Sequence, residues 1–203
     1  MNGRVIVFAR VPCAGEVKTR LARAVGEATA LAHYRTMLSD TLAVVRAALV
    51  EAPGLEAELC IVGDDRDGEC ARLAAAHGFA LSAQQGATLG ERIDAALGRA
   101  LSEGKVPVLI GSDVVSLTAR DLHDAFESLR EREAVFAPTE DGGYALVGLS
   151  RRVARLFDAM PWGCDSLMAV TRRRLQECGI RWAQLRTLWD VDEEPDLRRW
   201  LAD

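Results

Sequence analysis

The stretch "VIVFARVPCAGEVKTRLARAVG" (residues 5–26) decides the fold, because an apolar run, a glycine-bearing basic loop and a helical start follow one another without a break. Its opening "VIVFA" (5–9) is continuously apolar and does not alternate, which is the pattern of a strand buried on both faces. Four further runs share that character: "ELCIVG" (58–63), "VPVLIG" (106–111), "AVFAP" (134–138) and "YALVGL" (144–149). Between them lie segments of helical spacing. In residues 28–52, Leu31, Tyr34, Leu38, Leu42 and Val45 recur every three or four positions. In "LTARDLHDAFESLRER", Thr118 and Asp121 stand in capping-box spacing before a stripe of Leu122, Ala125, Phe126 and Leu129. Strand alternating with helix predicts one α/β domain over residues 1–203, three-layered, with a mostly parallel sheet.

The bulk numbers fit one such domain. A chain of 203 residues buries roughly 70% of its unfolded surface. With 49% hydrophobic and 27% charged residues it has an ordinary globular composition, and a net charge of -5 argues against a nucleic-acid or membrane-surface partner. Five widely spaced cysteines without a C-x-x-C pair suggest reduced thiols rather than a zinc site. No apolar run is long enough for a signal-peptide core or a membrane span, so the expected location is the cytoplasm.

In a parallel sheet, ligands bind outside the carboxyl ends of the strands. Residues capable of chemistry do cluster there, at 10–20, 63–65, 111–117 and 139–143. The opening loop is not a Walker A motif, since Val17 stands where glycine must precede the lysine. Gly15 followed by Lys18 and Arg20, with Arg10 nearby, suits a diphosphate held by cations and helix-start N–H groups; a solvated basic turn fits equally. Asp113 in "VLIGSDVVSL" lies just past a strand, as a cation ligand or as a turn aspartate. In "LWDVDEEPDL", Asp190 and Asp192 are two apart in an extended segment and point to one side, so they can share a cation, while Glu193, Glu194 and Asp196 suit a helix start near Pro195.

"APTEDGGYALVGL" sets Asp141 before Gly142 and Gly143. The glycines permit close backbone approach to a ligand, and Asp141 can accept sugar hydroxyl bonds or act as a base; a hairpin turn of the Asp-Gly type also fits. His33, His77 and His123 lie in helical patterns without ligand spacing. Trp162 in "MPWGCDSL" is expected to follow a helix and to line a pocket, whereas Trp182, Trp189 and Trp200 read as core.

Taken in order, "FARVPCAGEVKTRLARAVG", "QGATLGERI", "IGSDVVSL", "APTEDGGYALVGL", "MPWGCDSL" and "LWDVDEEPDL" resemble the motif series of a bacterial and archaeal family, the radical-SAM/selenodomain-associated transferases. These are glycosyltransferase-like members of the nucleotide-diphospho-sugar transferase superfamily, whose GT-A fold also carries phospholactate guanylyltransferases and molybdenum-cofactor nucleotidyltransferases. The resemblance implies that Gly15, Lys18, Arg20 and Arg10 bind nucleotide phosphates, that Gly90 and Arg92 sit beside the nucleotide, and that Asp113 and Asp192 hold a divalent Mg or Mn. The sequence departs from the family in Val114-Val115 after the metal aspartate, where Cys-Pro is common. It departs again at Thr88 for aspartate, Cys164 for threonine and Glu193-Glu194 for Thr-Pro.

The resulting expectation is a metal-dependent glycosyltransferase moving a sugar from a nucleoside diphosphate to a small-molecule acceptor, with Asp141 catalytic. The alternatives are a nucleotidyltransferase, which joins an NTP to a phosphorylated small molecule and releases pyrophosphate, and a non-catalytic nucleotide-binding protein.

Overall fold

The computed structural model describes residues 2–153 and 155–202. Seven strands form one sheet: β1 (Gly3–Arg10), β2 (Leu55–Val62), β3 (Ala80–Ala83), β4 (Val106–Gly111), β5 (Ala134–Pro138), β6 (Tyr144–Leu149) and β7 (Trp182–Gln184). Their order across the sheet is β3-β2-β1-β4-β6-β5-β7. β1 pairs in parallel with β2 and β4, β2 with β3, and β5 with β7, while β6 alone runs antiparallel, between β4 and β5. β3 and β7 are absent from the sequence expectation. They are edge strands of four and three residues, and β3 is largely exposed, so neither carries a long apolar run.

Seven helices among the described residues complete the order: α1 (Thr19–Val25), α2 (Glu27–Glu51), α3 (Glu69–His77), α4 (Leu89–Ser102), α5 (Ala119–Ser128), α6 (Leu167–Glu177) and α7 (Glu194–Trp200). The sheet separates two cores. Val5, Val7 and Ala9 of β1 face α2, α3 and α5 through Leu38, Leu42, Ala74, Leu122 and Phe126. Ile6 and Phe8 face α4 and α6 through Ile93, Leu97, Met168 and Leu175. Alternate residues of one strand thus enter opposite cores, which is why its sequence shows no polar alternation. Thr118 caps α5 as its spacing predicts, its hydroxyl accepting from the Asp121 N–H while the Asp121 carboxylate accepts from the Thr118 N–H.

A third cluster positions the cleft. Val17 and Leu21 from the opening loop and α1 pack with Ala30, Tyr34 and Met37 of α2 and with Val191 and Leu197 near the carboxyl terminus. Each fully buried valine, leucine or methionine of this cluster contributes about 1.5–3 kcal/mol. The basic loop at one end of the sequence and the acidic segment at the other are therefore held together by apolar packing, independently of their charges.

Candidate functional site

The carboxyl ends of β1 and β4 and the 188–192 segment meet at one point. Asp113 follows β4 by two residues. The 188–192 segment reaches it because Leu188 pairs with Thr139 in an isolated parallel bridge, its N–H donating to the Pro138 carbonyl, and because Ser116 clamps Trp189. The Ser116 hydroxyl donates to the Trp189 carbonyl at 3.0 Å and accepts from the Trp189 N–H at 2.8 Å. As a result one carboxylate oxygen from each of Asp113, Asp190 and Asp192 lies within 4.8 Å of the others.

Three carboxylates this close repel one another. Burial, reinforced by the charges of Asp113 and Asp192, pushes the Asp190 carboxyl up to about 7. Lys18 offsets part of the repulsion: its Nζ lies 2.5 Å from Asp113 Oδ2 and 2.9 Å from Asp192 Oδ1, with the side chain only 6% exposed. Burial opposes the ammonium charge there, but the two carboxylates prevail and hold Lys18 above its ordinary range. The ammonium is a positive charge already seated among hard oxygen donors, and such a donor set suits a divalent cation of the Mg or Mn kind.

On one side of this cluster lies an open polar chamber of about 700 Å³, lined by Arg10, Glu16, Lys18, Arg20, Arg92 and Asp113. Arg20 Nη1 stands 3.7 Å from Asp192 Oδ2, and Arg92 donates from Nε to the Gly86 carbonyl at 3.0 Å. Gly15 shapes this loop without lining the chamber: its φ of 79° is left-handed, in a turn where the Glu16 N–H donates to the Cys13 carbonyl. Lys18 is itself left-handed, with φ 46° and ψ 46°, and stands at the N-cap of α1 rather than in its first turn. Gly90 does not line the chamber either. It is buried in the first turn of α4, where a Cβ would collide with the Phe157 carbonyl oxygen and crowd the Trp162 indole. The structure therefore places Gly90 under the tryptophan and leaves Arg92 alone of that pair facing the polar chamber.

On the other side lies a smaller chamber of about 230 Å³, lined by Phe8, Ile93, Leu109, Val147, Tyr144 and Trp162 and by the carboxylates Asp113, Asp141 and Asp190. Trp162 lines it as expected, but no helix precedes this residue among the described ones; residues 155–159 run through turns. Asp141 belongs to the β5–β6 hairpin, where its Oδ1 accepts from the Thr139 hydroxyl at 2.5 Å and from the Gly143 N–H at 3.0 Å. Gly142 and Gly143 serve close approach. Gly142 has φ 87° and abuts the Asp165 backbone, and its carbonyl accepts from the Met168 N–H, so the hairpin is fastened to the start of α6. Hairpin turn and site loop are here the same object.

The family model described as "Uncharacterized protein conserved in bacteria (DUF2064)" matches residues 41–164. The chain belongs to DUF2064. It also superposes on the "putative nucleotide-diphospho-sugar transferase" of Desulfovibrio desulfuricans G20 with a TM-score of 0.84 and 30% identity, covering 97% of this chain and 84% of that one. Two more distant structures share the fold alone. The 4-diphosphocytidyl-2C-methyl-D-erythritol synthase of Anaerococcus prevotii DSM 20548 aligns with a TM-score of 0.65 and 12% identity over 98% of this chain and 94% of that one. Rv0371C of Mycobacterium tuberculosis H37Rv, solved in complex with manganese, aligns with a TM-score of 0.55 and 16% identity over the whole of both chains. No curated protein sequence matches.

Several residues of this DUF2064 chain that shape the site escape sequence reasoning. The Tyr34 hydroxyl donates to the Arg10 carbonyl at 3.0 Å and accepts from the Arg10 N–H at 2.9 Å, so the Ser112 hydroxyl, 3.2 Å away, must donate to it. That bond ties the ends of β1 and β4 together, and burial pushes the Tyr34 phenol up to about 12. Gln84 does the same for β1 and β2, donating to the Ala9 and Cys60 carbonyls at 3.1 Å. Neither residue stands in a recognisable motif; Tyr34 reads in sequence only as one member of an apolar helical stripe.

Proposed function

We propose that this protein is a metal-dependent transferase acting on a nucleotide-activated substrate, and that the reaction is transfer of a sugar from a nucleoside diphosphate to a small-molecule acceptor. The observation that carries the proposal is the juxtaposition of Asp113, Asp190 and Asp192 with a chamber whose basic residues are Arg10, Lys18, Arg20 and Arg92. Carboxylates that hold a hard cation and cations that hold phosphate, side by side, are what a nucleoside diphosphate with a bound metal requires. Likeness to the D. desulfuricans protein supports a nucleotide-diphospho-sugar substrate, and the manganese complex of Rv0371C supports a divalent ion.

In this assignment Asp113, Asp190 and Asp192 would hold the divalent ion, which would supply Lewis-acid neutralisation of charge on the diphosphate. Arg10, Lys18, Arg20 and Arg92 hold the phosphates. Lys18 moves from its carboxylate pairs to phosphate oxygen when both are present. Asp141, fixed through Oδ1 by Thr139 and Gly143, receives the acceptor's hydroxyl proton. The acceptor oxygen forms the new bond to the sugar's anomeric carbon, the bond from that carbon to the diphosphate breaks, and the electron pair leaves on the diphosphate. Trp162, Gly142 and Gly143 form the wall against which the acceptor lies.

A thermal-shift screen of nucleoside diphosphates and NDP-sugars with and without Mn²⁺ tests the proposal. Stabilisation that requires both nucleotide and ion, and that is lost in Asp113→Ala, is the expected result. An undiminished Mn²⁺ dependence in Asp113→Ala refutes the metal assignment, and release of pyrophosphate from an NTP marks the enzyme as a nucleotidyltransferase instead.

A further inference from the structure

We infer that the smaller chamber selects an uncharged, hydroxyl-bearing molecule with a compact hydrophobic body, and excludes phosphorylated or carboxylated ones. The inference rests on the transferase assignment and specifies its acceptor. Its basis is the contrast between the two chambers that share Asp113.

The polar chamber carries four basic side chains, whereas among the described residues the smaller chamber is lined by no lysine, arginine or histidine. Its charged lining residues are the carboxylates Asp113, Asp141 and Asp190. Its walls are apolar: Phe8, Ile93, Leu109 and Val147 from the sheet and α4, with Tyr144 and Trp162 set edge to face 6.1 Å apart. In the metal-free protein a phosphate or carboxylate placed inside would lose its hydration, gain no lysine or arginine from the lining and face the lining carboxylates. An alcohol loses little. Its hydrocarbon part gains burial, and its hydroxyl can donate to the lining carboxylate of Asp141.

Size narrows the class. At about 230 Å³ the chamber falls below the roughly 300–1,000 Å³ of drug-sized sites, so it admits a single ring or a short branched chain. The nucleotidyltransferase alternative calls for a phosphorylated acceptor, and no lysine, arginine or histidine in this lining answers a phosphomonoester. The chamber chemistry thus favours glycosyl transfer to an alcohol.

The test uses benzyl alcohol and benzyl phosphate as a matched pair, titrated onto the full chain in EDTA, and followed by saturation-transfer NMR and tryptophan fluorescence. Benzyl alcohol is expected to bind at least about tenfold more tightly than benzyl phosphate, since even about 1.4 kcal/mol of unpaired-charge cost gives that factor. Cys164→Trp, which fills the chamber from an exposed position, should abolish alcohol binding. Leu89→Lys, at a residue 43% exposed that lines both chambers, should raise the affinity for benzyl phosphate at least fivefold. Equal or tighter binding of benzyl phosphate by the unmodified protein overturns the inference. So does no binding of either probe, or alcohol binding unchanged in both variants. Loss of nucleotide-dependent stabilisation alongside intact alcohol selectivity would instead defeat the transferase assignment and leave the chamber's preference standing.

Discussion

Replacing Asp190 with asparagine should make the metal-free protein more stable at pH 8 while changing it little at pH 4. Asp190 titrates near 7 in the folded protein against an ordinary 3.8, because burial and the charges of Asp113 and Asp192 disfavour its anion. Between those two values the folded state holds a proton that the unfolded state has released, so stability falls as pH rises through that window. The whole loss is about 1.4 kcal/mol per unit over about three units, or roughly 4 kcal/mol as a ceiling, and solvent in the open cleft reduces it. Asparagine keeps the shape and removes the titration. Urea unfolding in EDTA at pH 4, 6 and 8 should therefore show the wild type losing about 2–4 kcal/mol relative to Asp190→Asn, most of it between pH 4 and 7. Saturating Mn²⁺ at pH 8 should reverse the order, since only the wild type keeps the full donor set. Parallel pH curves for the two proteins in EDTA would refute the account of Asp190 as a crowded, buried acid. Failure of Mn²⁺ to stabilise the wild type would refute its role as a ligand.

Three further outcomes follow from named contacts. Tyr144→Phe should raise stability by about 1 kcal/mol in urea titrations, because the Tyr144 hydroxyl is the one buried side-chain polar atom without a hydrogen-bond partner among the described residues. Arg186→Leu should cost about 2 kcal/mol at pH 7 by the same assay: Arg186 donates to both oxygens of the buried Asp121, at 2.6 and 2.7 Å, and to the Ser116 carbonyl. Burial opposes the Asp121 anion, but Arg186 and Thr118 outweigh it and hold this carboxyl below its ordinary value, so the cost should shrink as pH falls through the ordinary aspartate range. Gly90→Ala should destabilise by about 1–3 kcal/mol, since the added methyl meets the Phe157 backbone, and it should shift Trp162 fluorescence by moving the indole.

The parallel core of the fold was legible because its strands are long apolar runs and its helices carry capping signals. β5, β6 and the α5 cap stand where the pattern puts them. What stayed hidden depends on tertiary placement. β7 is three residues held by pairing to β5, and no local pattern distinguishes it from a loop. The acidic triad was half legible: the spacing of Asp190 and Asp192 puts both on one side, but nothing local brings Asp113 to them. That requires the Ser116 clamp on Trp189 and the cluster of Val17, Leu21 and Val191. The motif glycines were the least transparent. Gly90 and Gly142 stand in site motifs, yet what each answers to is a neighbouring backbone, Phe157 or Asp165, far off in sequence.

The antiparallel strand explains why the two sides of Asp113 differ. On the β1 side the chain leaves the sheet through the long loop 11–18 and returns by helices, so basic side chains can project over open space. On the β6 side the chain turns back within a few residues, and the strand begins at the cleft instead of ending there. The hairpin, fastened at Gly142 to the Asp165 backbone and the start of α6, brings no lysine or arginine to this side. Lys18 marks the junction. A lysine in the left-handed region costs about 1–2 kcal/mol that a glycine would avoid. A glycine there would also withdraw the one ammonium seated between Asp113 and Asp192. The backbone strain at this position is thus the cost of placing a cation at the seam, where a carboxylate cluster, a basic chamber and a largely apolar pocket meet.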